Sequence, residues 1–347
     1  MAITAYFKGR DVVRWGIIGC GDVTEVKSGP GFQKANGSAL VAVMRRNGTL
    51  AADYAKRHSV PRWYDDADAL IRDSEVDAVY VATPPETHAL YALKIAAAGK
   101  PAYIEKPMAR NAAECLGMID AFKRANLPLY VAYYRRRLPR FLKAEEIIGG
   151  GTLGKLTGVT YRFASPRQDS KEVWRIDAKL AGGGFFLDLG SHLLDLLDYF
   201  FGALTNVSGI AGNVVSNYAV EDGVAMTFGT KAGALGSATW NFASAVRDDT
   251  LRITGTEGEL IFSVFGTDAL RLETSSGIQI IECSHPAHVQ QPLIQTVVDD
   301  LLGRGACPST GDSALRTSQV MDQVLETFYG GRKDDFWNRP QTWPGRR

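Results

Sequence analysis

The run Val12-Val13-Arg14-Trp15-Gly16-Ile17-Ile18 passes directly into Gly19-Cys20-Gly21, and this junction constrains the fold more than any other feature of the chain. An apolar strand that ends on Gly-x-Gly and continues into a helix is the opening of a βαβ unit that can hold a dinucleotide. Gly19 makes the tight turn. Gly21 lets the backbone approach a pyrophosphate, whose charge is met by the amides of the helix that Asp22 and Val23 begin. The third fingerprint position holds Thr24, where Gly or Ala is usual, so the match is partial and the rest of the chain has to support it.

Up to about residue 132 the pattern does so. Strand-like runs at Val12–Ile18, Leu40–Met44, Ala78–Ala82, Ala102–Ile104 and Leu129–Ala132 alternate with helical stretches such as Thr87–Ala98 and Ala112–Arg124. Strands alternating with helices predict parallel βαβ units. Beyond Tyr133–Pro139 the pattern changes. A helix over Phe141–Ile148 is followed by β-like runs at Gly158–Phe163, Val224–Thr230, Leu235–Phe242, Leu251–Thr254 and Glu259–Phe262, with Gly255-Thr256-Glu257-Gly258 as a tight turn between the last two. Helices are expected only at Leu187–Phe201, Leu293–Leu302 and Ser313–Tyr329, which predicts a mostly antiparallel α+β domain. The expected division is residues 1–133, 134–330, and a polar, loosely packed tail at 331–347.

Size and charge narrow the function. A chain of 347 residues with 45% hydrophobic content exceeds what one core usually serves. Its 39 Lys and Arg against 38 Asp and Glu leave a net charge of +1, which gives no electrostatic footprint for nucleic acid or an anionic membrane. No apolar run is long enough to span a bilayer. Cys20, Cys115, Cys283 and Cys307 are scattered without Cys-x-x-Cys spacing, so the expectation is reduced thiols in a cytoplasmic protein.

The end of the second strand tests the cofactor. An NAD site wants an acidic side chain there for the ribose 2′-hydroxyl, and this chain has Met44-Arg45-Arg46-Asn47. Two guanidiniums suit a 2′-phosphate, so NADP(H) is the expected cofactor, with NAD(H) as the alternative. Thr83-Pro84-Pro85-Glu86-Thr87-His88 and Glu105-Lys106-Pro107 both follow strands, at the edge where open parallel sheets bind ligands. Asp188 and His192, four apart, fall on one face of a helix, where the carboxylate can orient and charge-stabilise an imidazole that moves protons near neutral pH. Lys106 can polarise a carbonyl or stabilise an alkoxide.

With Ala82-Thr83-Pro84-Pro85-x-x-His88, Trp174-Arg175, Gly182-Gly183-Gly184 and Asp188-x-Gly190-x-His192 added, the chain resembles the Gfo/Idh/MocA oxidoreductases from about Val13 to Tyr329. The resemblance implies a Rossmann doubly wound parallel sheet, then an α+β substrate and oligomerisation domain with a large open sheet, and a homodimer or homotetramer. It implies Lys106, Asp188 and His192 as catalytic residues, with His192 the proton carrier. The expected cofactor contacts are Gly19, Gly21, Asp22, Val23, Arg45, Arg46, Thr83, Pro84, His88, Glu105 and Lys106. The expected substrate contacts are Tyr134, Trp174, Arg175, Asp188 and His192. Tyr134 stands where many members have Asn. The implied reaction is hydride transfer between the nicotinamide and a secondary alcohol or ketone of a sugar, polyol or related small molecule. NAD-dependent glycoside hydrolysis on the same scaffold, or a non-catalytic NADP or sugar sensor, are the alternatives.

Other motifs weigh less. His58 lies in a polar stretch and is expected at the surface. Cys283-x-His285-x-x-His288 has metal-like spacing without a fourth ligand, and no metal is expected. Cys20 is expected as a small packed residue. Leu189, Leu193, Leu196, Leu197 and Phe200 form an apolar helix face, expected as core. Substrate choice is assigned to the loops Tyr161–Trp174 and Asn213–Asp222.

Overall fold

In a computed structural model of the chain, residues 6–7, 9–167 and 173–346 are described. The chain divides into two compact units. The first comprises residues 1–109, 114–138 and 286–314, and the second 110–113, 139–285 and 315–347. The division expected from the sequence was strictly sequential. Segment 286–314 departs from it because its apolar side chains Leu293, Ile294, Val297, Val298 and Leu301 complete the core of the first unit, beside Trp15, Phe32 and Tyr80.

The first unit contains β1 (Val13–Ile18), β2 (Ser38–Met44), β3 (Arg62–Tyr64), β4 (Ala78–Val81), β5 (Ala102–Ile104) and β6 (Leu129–Val131) in one parallel sheet ordered β3-β2-β1-β4-β5-β6. Strand β1 is central because it is buried along nearly its whole length, and it pairs in parallel with both β2 and β4. Strand order reverses there, which opens a crevice beyond the carboxyl ends of β1 and β4. Helices α1 (Asp22–Val26), α2 (Gly29–Lys34), α3 (Gly48–Arg57), α4 (Ala67–Arg72), α5 (His88–Ala97) and α6 (Ala112–Arg124) connect the strands. Ile17, Val43, Val79, Tyr80, Ile95 and Ile104 are fully buried, each contributing about 1.5–3 kcal/mol by transfer from water.

The second unit contains α7 (Pro139–Gly149), β7 (Leu156–Ala164), α8 (Ala178–Ala181), α9 (Ser191–Phe201), β8 (Thr205–Gly212), β9 (Gly223–Gly229), β10 (Leu235–Asn241), β11 (Asp248–Gly255), β12 (Gly258–Phe262), β13 (Leu270–Thr274) and β14 (Gly277–Ile281). Its eight strands are ordered β14-β13-β12-β11-β7-β10-β9-β8, antiparallel except for β7 with β10. The predicted Gly255–Gly258 turn joins β11 to β12. Alternation puts Val159, Tyr161, Ala238, Trp240, Leu251 and Ile253 on a buried face, where Phe186 meets Trp240 at 4.8 Å and Phe200 meets Phe262 at 6.4 Å. Thr160, Arg162, Ser237, Thr239 and Arg252 stand on the exposed face. In chain order α10 (Gln291–Leu301) follows, within the first unit, and then α11 (Gly311–Tyr329), of which residues 315–329 belong to the second. Of the predicted α9 face, Leu193, Leu196 and Leu197 are fully buried, while Leu189 and Phe200 are half-buried.

Two expectations are corrected. The tail is not loose: Phe336 and Trp343 are buried, Tyr329 lies 4.8 Å from Phe336 and 4.7 Å from Trp343, and the Trp343 indole donates to the Phe336 carbonyl at 3.0 Å. Counting polar residues hid two buried aromatic anchors, Phe336 and Trp343. The helix expected at Leu187–Phe201 begins as a π-turn over Phe186–Gly190, with α9 following; such turns recur at functional sites. Among the described residues no helix is long and apolar enough to cross a membrane. The four cysteines are free.

Candidate functional site

The Gly turn is built by Thr24, the residue that departs from the fingerprint. Its hydroxyl accepts from the Gly21 amide at 2.9 Å and donates to the Gly21 carbonyl at 2.8 Å, closing the turn from within. Tyr54 donates to the Thr24 carbonyl at 2.9 Å, which ties the turn to α3. Gly19 has φ of +92°, and a Cβ there would lie 2.7 Å from Thr83 Cγ2, so only glycine fits. Gly21 faces open space: a Cβ would meet nothing closer than 4.0 Å, and the bare backbone is left accessible.

These residues line one cavity of 370 Å³ in the first unit, together with Cys20, Met44, Arg45, Arg46, Asn47, Leu50, Ala82, Thr83, Pro84, Glu86, Thr87 and Tyr91. It lies at the switch point of the sheet. A tight glycine turn, bare backbone and two arginines at one end fit a dinucleotide with its phosphates. Of the expected cofactor contacts, Gly19, Gly21, Arg45, Arg46, Thr83 and Pro84 come together here. Asp22, Val23, His88, Glu105 and Lys106 are not among the lining residues. Burial pushes the Cys20 thiol up to about 11, which suits a packed thiol.

His88 and Glu105 act behind the surface. Fully buried His88 places Nε2 2.7 Å from the Thr83 carbonyl and Nδ1 3.0 Å from that of Pro107, latching the loops after β4 and β5 together. Burial lowers its imidazole pKa, against carbonyls that favour the protonated ring. Glu105 accepts from Tyr80 at 2.5 Å, from the Gln290 amide at 2.6 Å and from the Lys106 backbone N–H at 3.0 Å. It fixes the backbone from which half-buried Lys106 projects. Tyr134, which the sequence-based division counted as the first residue of the second domain, lies instead in the first unit, and its phenolic oxygen accepts from Arg135 at 3.1 Å.

The second unit holds the remaining candidates. Arg175 Nε donates to Asp188 Oδ2 at 2.9 Å, and its guanidinium lies 4.2 Å from the Trp174 ring centroid. Asp188 sits on the π-turn. His192, in the first turn of α9, is almost fully buried, with Phe265 against it at 5.8 Å. The expected loop Tyr161–Trp174 includes 168–172, which lie outside the described residues.

The triple glycine before the π-turn is clamped by residues the sequence reading missed. Fully buried Glu221 accepts from the Gly184 amide at 3.0 Å and from the Tyr329 hydroxyl. Burial raises the Glu221 carboxyl pKa, while Tyr329, Arg332 and the Gly184 amide pull it down. Arg332 donates to the Gly182 carbonyl at 2.6 Å, to that of Arg110 at 2.7 Å and to Asp322 at 2.8 Å. Sequence separations of 108 and 150 residues leave no local pattern from which these clamps could be read.

His58 is half-buried, with Nε2 2.6 Å from Glu25 and its ring stacked on Tyr54. His288, from the Cys-x-His-x-x-His run, sits between the Val26 carbonyl at 2.8 Å and Lys34 Nζ at 2.9 Å. Among the described residues no three His, Cys, Asp or Glu side chains cluster as a metal site would require.

Sheet order, glycine turn and cavity together define a dinucleotide-binding domain. The chain belongs to the GFO/IDH/MocA family: residues 13–133 match the oxidoreductase family with an NAD-binding Rossmann fold, and 141–261 match the GFO/IDH/MocA C-terminal domain. It is 38% identical to Oxidoreductase P35 of Formosa agariphila over 91% of this chain and 99% of that protein. It is 29% identical to levoglucosan dehydrogenase of Pseudarthrobacter phenanthrenivorans over 67% of each. Among solved structures, aldose-aldose oxidoreductase from Caulobacter crescentus complexed with glycerol superposes with a TM-score of 0.83 at 25% identity, covering 91% of this chain and 97% of that one.

Proposed function

We propose that the chain is a cytoplasmic, NADP(H)-dependent oxidoreductase that transfers hydride between the nicotinamide and a secondary alcohol or ketone of a sugar, polyol or related small molecule. The observation that carries the cofactor reading is that Arg45 and Arg46 line the same cavity as Gly19 and Gly21, with no carboxylate at the end of β2 to receive a ribose 2′-hydroxyl. Names among the relatives support a sugar substrate.

A dinucleotide held by Gly19, Gly21, Arg45 and Arg46 would supply or accept the hydride through its nicotinamide. His192 takes the hydroxyl proton during oxidation and returns it during reduction. Asp188, held by Arg175, stabilises the imidazolium that forms. Lys106, fixed by Glu105 through its backbone, stabilises charge on the reacting oxygen. Tyr134, Trp174 and Arg175 contact the substrate. Two or four copies of the chain associate, a reading supported by exposed Ile210, Leu235, Ile278 and Ile280 on the uncovered face of the second sheet and tested by light scattering.

Fluorescence titration with NADPH and NADH, followed by a screen of sugars and polyols with the tighter cofactor, tests the proposal. The wild type should prefer NADPH, and the Arg45→Ala/Arg46→Ala variant should lose that preference. Tighter NADH binding by the wild type would overturn the NADP reading. Sugar release at constant cofactor absorbance would select the hydrolytic alternative.

A further inference from the structure

We propose that Phe265 is a positioning residue for His192, held for that purpose by two opposed clamps on its loop. The inference rests on the reading of His192 as proton carrier and concerns the second unit alone. Phe265 lies in the loop between β12 and β13 and is half-buried. Its ring meets the His192 imidazole at 5.8 Å with an interplanar angle of 78°, an edge-to-face contact.

The loop is held from both sides. Asp249, on β11, collects three successive backbone amides: Val264 at 3.0 Å, Phe265 at 2.6 Å and Gly266 at 3.2 Å. Tyr161 from β7 donates to the same carboxylate at 2.9 Å, fixing its orientation. From the other side Arg140 of α7, almost fully buried, donates to the Gly266 carbonyl, to the Asp268 carbonyl at 2.9 Å and to Ser263 Oγ at 3.3 Å. Burying a guanidinium is costly unless its donors are satisfied. Here three of its bonds go to one short loop, which is rigid as a consequence.

What that rigidity presents is the Phe265 ring. Behind it Phe163 makes a T-shaped contact at 5.6 Å, and Phe242 and Phe185 continue the row back to the residue just before the π-turn that carries Asp188. The row therefore links the approaches to both members of the Asp188/His192 pair. An imidazole whose edge or face is packed against a fixed aromatic ring has fewer rotamers, and a general acid or base misplaced by an ångström loses much of its effect.

The test uses the full chain with histidine-selective isotope labelling. Its five histidines give a small set of ring resonances, and His192 is assigned by the signal lost in His192→Gln. Phe265→Leu keeps an apolar residue at a half-exposed position and removes the aromatic ring. The His192 resonance should move in this variant while that of His58 stays. With a substrate found in the screen, kcat should fall about tenfold or more with NADPH affinity unchanged. Phe265→Tyr, which keeps the ring, should restore both readouts. Asp249→Asn, which loosens the loop, should move the His192 signal in the same sense as Phe265→Leu. An unmoved His192 signal in Phe265→Leu, or wild-type kcat in that variant, overturns the inference. A wild type that turns over no sugar or polyol sinks the proposed function instead, and the resonance measurement still decides the role of Phe265.

Discussion

Arg175 Nε donates to Asp188 Oδ2 at 2.9 Å, so the carboxylate that the sequence pairs with His192 is also one half of a partly buried ion pair. Removing one partner of such a pair leaves the other charge poorly compensated. Arg175→Ala should lower kcat by about 10- to 100-fold through misplacement of Asp188, with dinucleotide affinity unchanged because the cavity belongs to the other unit. Arg175→Lys should recover little, since lysine lacks the planar guanidinium that stacks on Trp174. Steady-state kinetics beside a cofactor titration check both.

Gly184 is a tight joint in the clamp behind the π-turn. A Cβ there would lie 2.6 Å from the Glu221 carbonyl oxygen, a backbone atom that cannot step aside. Gly184→Ala should therefore cost about 2–4 kcal/mol of unfolding free energy in urea melts. Tyr329→Phe removes the hydroxyl that donates to buried Glu221 and should cost about 1–3 kcal/mol.

Glu25 gives a pH signature for the elements around the glycine turn. Hydrogen bonds from Arg57, then His58, hold its carboxyl at about 2, below the usual 4.5. A depressed folded-state pKa stabilises the fold above the unfolded value and loses that effect as pH falls through the folded one. The stability gap between wild type and Glu25→Gln should be full above about pH 5, shrink between pH 4.5 and 2, and vanish below. Urea midpoints across that range measure it, and a gap that persisted at the lowest pH would assign the effect to packing.

The sequence was most legible where interactions are local. Gly19-Cys20-Gly21 following an apolar strand located the switch point, and Arg45 and Arg46 proved to line the same cavity. Strands with a buried face were found within a few residues. The strands missed were β3, β8 and β14, all at sheet edges, together with β13 beside one of them. In β14 four of the five residues are exposed, so its short Ile278-Gln279-Ile280 alternation marks no buried face. Glu105 illustrates the same limit within the site. Its motif drew attention to it, but its partners Tyr80 and Gln290 come from 25 and 185 residues away. Only the fold shows it serving Lys106 from the interior.

Trp343 provides the sharpest test of the ordered C-terminal segment. Its indole N–H is spent on the Phe336 carbonyl at 3.0 Å, and its ring packs on Tyr329 at 4.7 Å and Phe328 at 6.3 Å. Tyr329 in turn donates to Glu221, which holds Gly184. Trp343→Ala should cost about 3–5 kcal/mol, as a large buried aromatic does. Because the cavity opened lies against Tyr329, the same variant should also lower kcat while NADPH affinity, set in the first unit, is kept. A Trp343→Ala protein with the wild-type melting temperature would mean that the segment adds nothing to the fold, and the clamps on Gly184 and Gly182 would then have to stand on Glu221 with Tyr329 and on Arg332 without the aromatic cover.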